Sequence, residues 1–310
     1  MASKVVIAGG SGLIGRALTR RLLALGRDVV ILGRGAAAVP TGARLVPWDG
    51  RTLGPWRAEL DGADALVNLA GRSINSAPTA ENHRAILASR VDAVRVLGEA
   101  LRACAHPPAC WVQASAVGYY GTHSSAIHDE PDPPGSDFLA GVCQAWEQAH
   151  ARALPAGVRS VVLRIGVVLA REGGAFPPLL RLAQFGLGGA AGSGAQGLSW
   201  IHRQDLEEIL LRALADASLQ GPCNACAPQP VSNADFMRTL RQTLRRPWSP
   251  PAPAGLIRPV ARYLLRTDPD LILAGQFARP ARLEAAGFQF RFGALPTALA
   301  HLTGHTAATD

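Results

Sequence analysis

The 310-residue sequence predicts an α/β protein, a doubly wound parallel sheet joined to a smaller, mainly helical lobe. Three observations carry this expectation. Short apolar runs alternate with helix-period segments from the N-terminus to about residue 165. A glycine cluster stands where the first apolar run meets the first helical pattern. Hydrophobic residues make up 48% of a chain with 33 glycines and 23 prolines, which suits a large buried core and not a disordered chain.

The first run, Val5-Val6-Ile7-Ala8, leads into Gly9-Gly10-Ser11-Gly12-Leu13-Ile14-Gly15, and a helical pattern follows through Leu18, Leu22 and Leu25. This is strand, tight turn, helix N-terminus, an order that cradles a pyrophosphate. Gly9 allows the turn, Gly12 lets the anion approach the backbone, and Gly15 lets helix and strand pack closely. The amides that open the helix, at Leu13 and Ile14, and the positive end of its dipole hold the charge. The next strand, Asp28 to Leu32, ends at Gly33-Arg34, the point that faces an adenosine ribose. A carboxylate there accepts from the 2′-hydroxyl, whereas an arginine offers a charged fork to a 2′-phosphate. Gly33 with Arg34 therefore reads as NADP over NAD, the alternative being a solvated loop arginine.

A third strand near Ala43 to Val46 leads to Trp48-Asp49, with Asp49 expected at the adenine edge. Ala65 to Asn68 reads as a fourth strand, and Leu69-Ala70-Gly71 as a small-residue turn that lets the cofactor pass. A helix from about Thr79 to Ala103 precedes the fifth strand, Cys110 to Ser115, and the segment Val117-Gly118-Tyr119-Tyr120-Gly121. The proline-rich loop Asp129 to Gly135 is placed to cover a site. Phe138 to Leu154 reads as a helix and Val158 to Ile165 as a sixth strand. Ligands of such sheets sit at the carboxyl ends of the strands. Gly166 to Gly197 loosens into glycine pairs and reads as a mobile cover. Leu198 to His202 looks like a strand, with Asp205 capping the helix Leu206 to Leu214. The break Pro247 to Pro253 introduces a helical C-terminal module with apolar Leu256, Ile257, Val260 and Leu264. The expected division is 1–165 with 198–227 as the nucleotide-binding domain, 166–197 with 228–303 as the substrate lobe, and 304–310 as a flexible tail.

A formal net charge of +8 raises the question of nucleic acid. The arginines, however, are scattered singly and in pairs, with no basic run and few aromatics between them, and Lys4 is the only lysine. No nucleic-acid partner is expected, and a dispersed positive field suits an anionic cofactor. No apolar run approaches the roughly 18 residues of a spanning helix, and no signal-peptide pattern opens the chain. A cytoplasmic protein without a membrane partner is the expectation, with a homodimer left open. Cys223-Asn224-Ala225-Cys226 has the spacing of half a zinc knuckle or of a redox pair. No second pair exists, and a strand here turns the two thiols to opposite faces, so no metal site is expected.

Several stretches together resemble the extended short-chain dehydrogenase/reductases of the nucleotide-sugar epimerase/dehydratase group, and within it the epimerase family proteins with their own small C-terminal domain. They are Gly9 to Gly15, Trp48-Asp49, Asn68-Leu69-Ala70-Gly71, Ala114 to Gly121, Trp146-Glu147, Arg164-Ile165-Gly166, Ser199-Trp200-Ile201-His202 and Asn224-Ala225-Cys226-Ala227-Pro228. The resemblance implies a Rossmann domain that binds NADP, a discontinuous substrate lobe, and oxidoreductase or epimerase chemistry on a small polar substrate such as a sugar. It also places a Tyr-x-x-x-Lys pair on the helix after the fifth strand, where the lysine eases proton transfer by the tyrosine. Here those slots fall on Leu139 and Cys143. Tyr119 or Tyr120 is the candidate proton donor in their place, with Ser115 as hydrogen-bond donor and Arg90 as cationic stabiliser. The alternative is that the tyrosines only wall the nicotinamide pocket. Arg90 and Ser115 are also expected to line the cofactor. Cys143 reads as packing, His202 as a core or interface histidine, Glu147 as an anchor, and Arg164 either as a substrate partner or as half of an internal salt bridge. The rival function is a non-catalytic NADP-binding sensor or scaffold.

Overall fold

The computed structural model describes residues 3–35, 39–122 and 125–304, so residues 305–310 of the expected tail lie outside the described residues. The chain begins with β1 (Lys4–Ala8), α1 (Leu13–Ala24), β2 (Asp28–Gly33), β3 (Arg44–Pro47) and β4 (Ala65–Asn68). It continues with α2 (Ala80–Arg102), β5 (Cys110–Ala116), β6 (Ile127–His128), α3 (Phe138–Ala153) and β7 (Arg159–Ile165). Among the described residues, seven strands form one parallel sheet, in which β3, β2 and β1 are followed by β4, β5, β7 and finally β12 (Gly221–Ala225). The order reverses between β1 and β4, which opens a crevice at their carboxyl ends.

Alternation along the strands feeds two cores. Val5 and Ile7 face the layer built with α1, whereas Val6 and Ala8 face the layer that holds Leu97, Leu101 and Trp146 of α2 and α3. Burial on both faces is why these strands read as unbroken apolar runs.

The stretch expected to be a mobile cover carries regular structure. It holds β8 (Val167–Ala170), β9 (Gly173–Gly174) and α4 (Phe176–Gln184), followed by β10 (Gly197–Leu198) and β11 (Trp200–His202). Its glycine-rich end is tied down by bonds from Ala191 N to Asn233 Oδ1 and from Gly192 N to Ala252 O, both 2.8 Å. The single strand expected at 198–202 is two short ones outside the main sheet. β11 pairs with β8, and β10 pairs with β13 (Val231–Ser232). α5 (Arg203–Ala215) starts directly after β11, so its cap is His202, whose Nδ1 accepts from Gln204 N at 3.1 Å. Asp205, expected as the cap, lies in the first turn and is buried. Its carboxylate accepts from Arg291 N and Phe292 N at 3.0 and 2.9 Å, which fastens the C-terminal segment to this helix.

Beyond β12 come α6 (Asn233–Thr243), α7 (Ala254–Pro259), α8 (Asp270–Leu273), β14 (Phe277–Ala278), α9 (Ala281–Ala285) and α10 (Leu295–Thr303). β14 pairs with β6 in a separate two-stranded parallel sheet. α7 continues as a π turn over Val260–Leu264, closed by Leu265 N donating to Val260 O. Of its apolar residues Ala261 is buried, while Leu256, Val260 and Leu264 are exposed. Residue 304 was expected to open the tail, but Gly304 has φ 74 and forms the left-handed cap of α10. Among the described residues no helix is long and apolar enough to cross a membrane.

Candidate cofactor turn and active site

In the turn between the carboxyl end of β1 and the amino end of α1 the backbone is laid bare. Gly9 has φ +77, and a Cβ on it would lie 2.9 Å from the Leu69–Ala70 backbone. A Cβ on Gly15 would lie 2.5 Å from Gly10 Cα, so only glycine lets α1 sit this close to the turn. Gly12 is different. Only Gly9 O comes within 4 Å of the place its Cβ would take, at 3.4 Å, and the residue is exposed. Gly12 also caps α1 without a side chain, and the first turn carries no acid. The amides around Leu13 and Ile14 therefore have no capping side chain or first-turn acid competing for them.

The neighbouring loops are built accordingly. Gly33 leaves a gap lined by Leu45 Cδ1 and Ser11 Oγ, and Arg34 beyond it is exposed. Asp49 is exposed and organises its own turn, accepting from Arg51 N, Thr52 N and Thr52 Oγ1 at 2.8, 3.0 and 2.7 Å. The backbone bonds from Thr52 and Arg51 hold its carboxyl down at about 2. Leu69, Ala70 and Gly71 follow β4, where Asn68 Oδ1 accepts from Ala70 N at 3.1 Å and Asn68 Nδ2 donates to Gln113 Oε1 at 2.9 Å. Arg90 folds over this turn, within 3.2 Å of the Cβ position of Gly71. It donates to Arg72 O and Ile86 O and stacks on Trp146 at 5.0 Å. Burial lowers its pKa.

At the carboxyl ends of β5, β7 and β12 the side chains meet. Ser115 is buried and donates from Oγ to Glu147 Oε1 at 2.6 Å. Arg164 grips the same carboxylate with Nε at 3.0 Å and Nη2 at 2.9 Å. Its remaining nitrogen, Nη1, donates to Tyr120 Oη and Glu130 O, both 3.0 Å. Burial alone would pull this guanidinium down, but Glu147 and Tyr120 outweigh it and hold the pKa above its ordinary value. Of the two roles open to Arg164, the salt bridge is the one formed.

The two tyrosines part company here. Tyr120 is buried and stacked on His128, and its hydroxyl donates to Asn224 Oδ1 at 2.8 Å. Burial pushes that phenol up to about 12 against the opposing bond from Arg164. Tyr119 is half-buried, lies beneath the Arg164 guanidinium at 3.5 Å, and makes no hydroxyl bond to a described residue. Cys143 is buried, and burial followed by Glu147 pushes its thiol up to about 11, so it stays protonated. Cys223 packs in the sheet core and Cys226 in a separate cluster with Tyr120. No group of residues able to hold a metal ion occurs among the described residues.

The family model described as the NAD dependent epimerase/dehydratase family matches residues 5–224, which includes every strand of the main sheet except the first residue of β1 and the last of β12. The chain belongs to this family. A second model, a domain of unknown function (DUF1731), matches residues 252–302. The human epimerase family protein SDR39U1 is 35% identical over 300 residues, covering 96% of this chain and 98% of its own. Mycobacterium bovis epimerase family protein Mb2239 is 37% identical over 310 residues, covering 98% and 99%. The crystal structure of human SDR39U1 (isoform 2) with NADPH superposes with a TM-score of 0.86 at 34% identity, covering 98% of this chain and 100% of that one.

Two members of this cluster, Asn224 and Glu130, were not picked out as site residues in the sequence, although Asn224 stands in one of the resembling stretches and Glu130 in the loop expected to cover a site. Asn224 Nδ2 donates to Arg279 O at 2.9 Å, and Glu130 Oε1 accepts from Asn224 N at 3.0 Å. A readable signal existed for Asn224, a polar residue fully buried inside an otherwise apolar strand. Glu130 had none, because only the docking of its loop puts a carboxylate there.

Proposed function

We propose that this epimerase/dehydratase-family chain is an NADP-dependent oxidoreductase or epimerase for a small polar substrate, in which Ser115 and Glu147 form the proton relay. The observation that carries the reading is the 2.6 Å bond from Ser115 Oγ to a carboxylate already clamped by Arg164. Ser115 is the last residue but one of β5, at the carboxyl end of the strand next to β4, where ligands of such sheets react. When a substrate hydroxyl gives its proton to Ser115 Oγ, the Ser115 proton passes to Glu147, and the reverse sequence protonates a substrate carbonyl. Arg164 keeps Glu147 oriented through two bonds. Tyr119, whose hydroxyl bonds no described residue, remains the candidate tyrosine of the site, and Tyr120 serves as a brace. Arg90 would add positive charge beside the turn after β4.

The cofactor fits the residues present. The uncapped turn Gly9, Gly12, Leu13, Ile14 and Gly15 would hold the pyrophosphate, and Leu69, Ala70 and Gly71 would flank it. Gly33 and Arg34 favour a 2′-phosphate, because Arg34 pairs with no described carboxylate and Gly33 leaves room. Asp49 would stand at the adenine edge. Bound there, the nicotinamide supplies or accepts a hydride.

Titration of the purified protein with NADPH and with NADH, followed by nicotinamide fluorescence, tests the cofactor. Arg34→Asp is expected to weaken NADPH roughly ten- to hundredfold and to spare NADH; equal loss of both would remove Arg34 from the site. Ser115→Ala should keep NADPH binding and lose turnover in a screen of sugars and small carbonyl compounds. A second reading, a non-catalytic NADP-binding sensor or scaffold, is favoured by Leu139 and Cys143 in the slots of the tyrosine–lysine pair. Tight NADPH binding without turnover of any compound would select it.

A further inference from the structure

The segment from Pro247 to Arg266 presents outward what the rest of the molecule buries. α7 and its π continuation sit on the lobe through small contacts, with Ala261 fully buried and Ile257 partly so. Leu256, Val260, Tyr263 and Leu264 face away, spaced as one stripe along a helix. Tyr263 and Leu264 keep 77% and 76% of their surface exposed. Trp248, also exposed, precedes them. Ser249 Oγ donates at 2.8 Å to the carbonyl of Gly186, the residue between exposed Phe185 and Leu187. Large apolar side chains exposed as a helical stripe on a folded chain mark a contact site.

Within the segment itself the charge has one sign, with Asp268 and Asp270 following it. From Phe236 to Thr267 the chain carries seven arginines and no carboxylate. Arg258 lies 3.6 Å from Asp270, whereas Arg245, Arg246, Arg262 and Arg266 pair with no described carboxylate.

We propose that this face rests on an anionic lipid surface, with the tyrosine, tryptophan and leucine tips in the headgroup–acyl boundary and the arginines on lipid phosphates. Charge decides the occupant. A second copy docked on this face would set arginines against arginines with no acid in the segment to pair them. Nucleic acid would use the arginines and leave the leucines in water. A fluid lipid boundary accepts a convex helical ridge without a matching groove. The contact is peripheral and needs no spanning helix, so it departs from the sequence expectation of no membrane partner, which rested on spanning runs alone. It stands independently of the cofactor reading.

The test is co-sedimentation of the full chain with vesicles of phosphatidylcholine, with and without phosphatidylglycerol, at low and high salt. Binding is expected with phosphatidylglycerol at low salt and is expected to fall steeply with salt. Arg262→Glu with Arg266→Glu should weaken it about tenfold or more, and Tyr263→Glu with Leu264→Glu should abolish it. All four side chains are exposed, so unchanged NADPH binding and melting temperature verify that the variants fold. Absence of binding to the anionic vesicles, or binding that both double variants retain, overturns the proposal. Light scattering that shows a dimer dissolved by Tyr263→Glu with Leu264→Glu, without vesicle binding, would give the face to a second copy instead.

Discussion

The turn between β1 and α1 offers a ligand backbone, whereas the cluster between β5, β7 and α3 offers side chains. From Gly9 to Gly15 there is no titratable group, and the shape depends on what is missing: Cβ atoms, a capping side chain, an acid in the first turn. In the cluster, Ser115, Tyr120, Glu147, Arg164 and Asn224 come from separate elements, and each is held by at least one other. The turn is a device of absence, tolerant of pH and intolerant of added atoms. The cluster is a device of mutual satisfaction, tolerant of small volume changes and intolerant of losing a partner.

Glu147→Ala should show the largest effect. It leaves the Arg164 guanidinium, 4% exposed, without its carboxylate, and a cost of about 3–5 kcal/mol is expected in urea unfolding. A cost under about 1 kcal/mol would mean that water reaches Arg164 and that the cluster is not the closed network described. Gly15→Ala attacks the other region. Its Cβ would fall 2.5 Å from Gly10 Cα, so roughly 1–3 kcal/mol of overpacking is expected, together with loss of NADPH affinity. If the stability falls and NADPH still binds, the turn is architecture alone.

Tyr120→Phe sharpens the contrast within the cluster. It strands Asn224 Oδ1 and one Arg164 donor, which should cost roughly 1–3 kcal/mol. NADPH affinity should not change, because the hydroxyl points to the brace and not to the turn.

Acid gives the smallest effect at its onset. Burial lowers His150 of α3 to about 4 and His202 to about 3, from 6.5. His150 bonds Ser160 Oγ through Nε2 at 2.7 Å, and His202 Nε2 faces His301 Nδ1 at 3.1 Å. The unfolded chain takes up these protons first. Stability is therefore whole above about pH 6.5 and is lost as the pH falls toward the folded values, by on the order of 1 kcal/mol or less per histidine between pH 7 and pH 6. His202→Gln should flatten that slope in urea titrations at stepped pH. An unchanged slope would place the acid sensitivity elsewhere.

Local patterns were legible because they need only neighbours in the chain. The apolar runs announced the sheet strands, and the glycine spacing announced the turn, since Gly15 answers a contact with Gly10 inside one strand–turn–helix unit; that Gly9 also makes room for the Leu69–Ala70 backbone only the fold could show. The break at Pro247 announced a new helical segment. Alternation separated Cys223 from Cys226 before any coordinates did. The candidate site was less legible. Ser115, Glu147 and Arg164 could each be named from the sequence, but their shared carboxylate could not, because they meet only when α3 lies across the ends of β5 and β7.

What the sequence alone determined is the nucleotide-binding half, where hydrophobic period and glycine sterics act over a dozen residues at a time. What only the tertiary structure decided is which polar groups satisfy one another and which apolar ones stay outside. Tyr119 and Tyr120 are identical neighbours in the chain, yet one is open and the other bonded to Arg164 and Asn224. Leu256 and Leu264 have the helical spacing of core residues, yet the lobe is met by the smaller Ala261. Period reports that a face is apolar. Only packing reports whether another surface covers it.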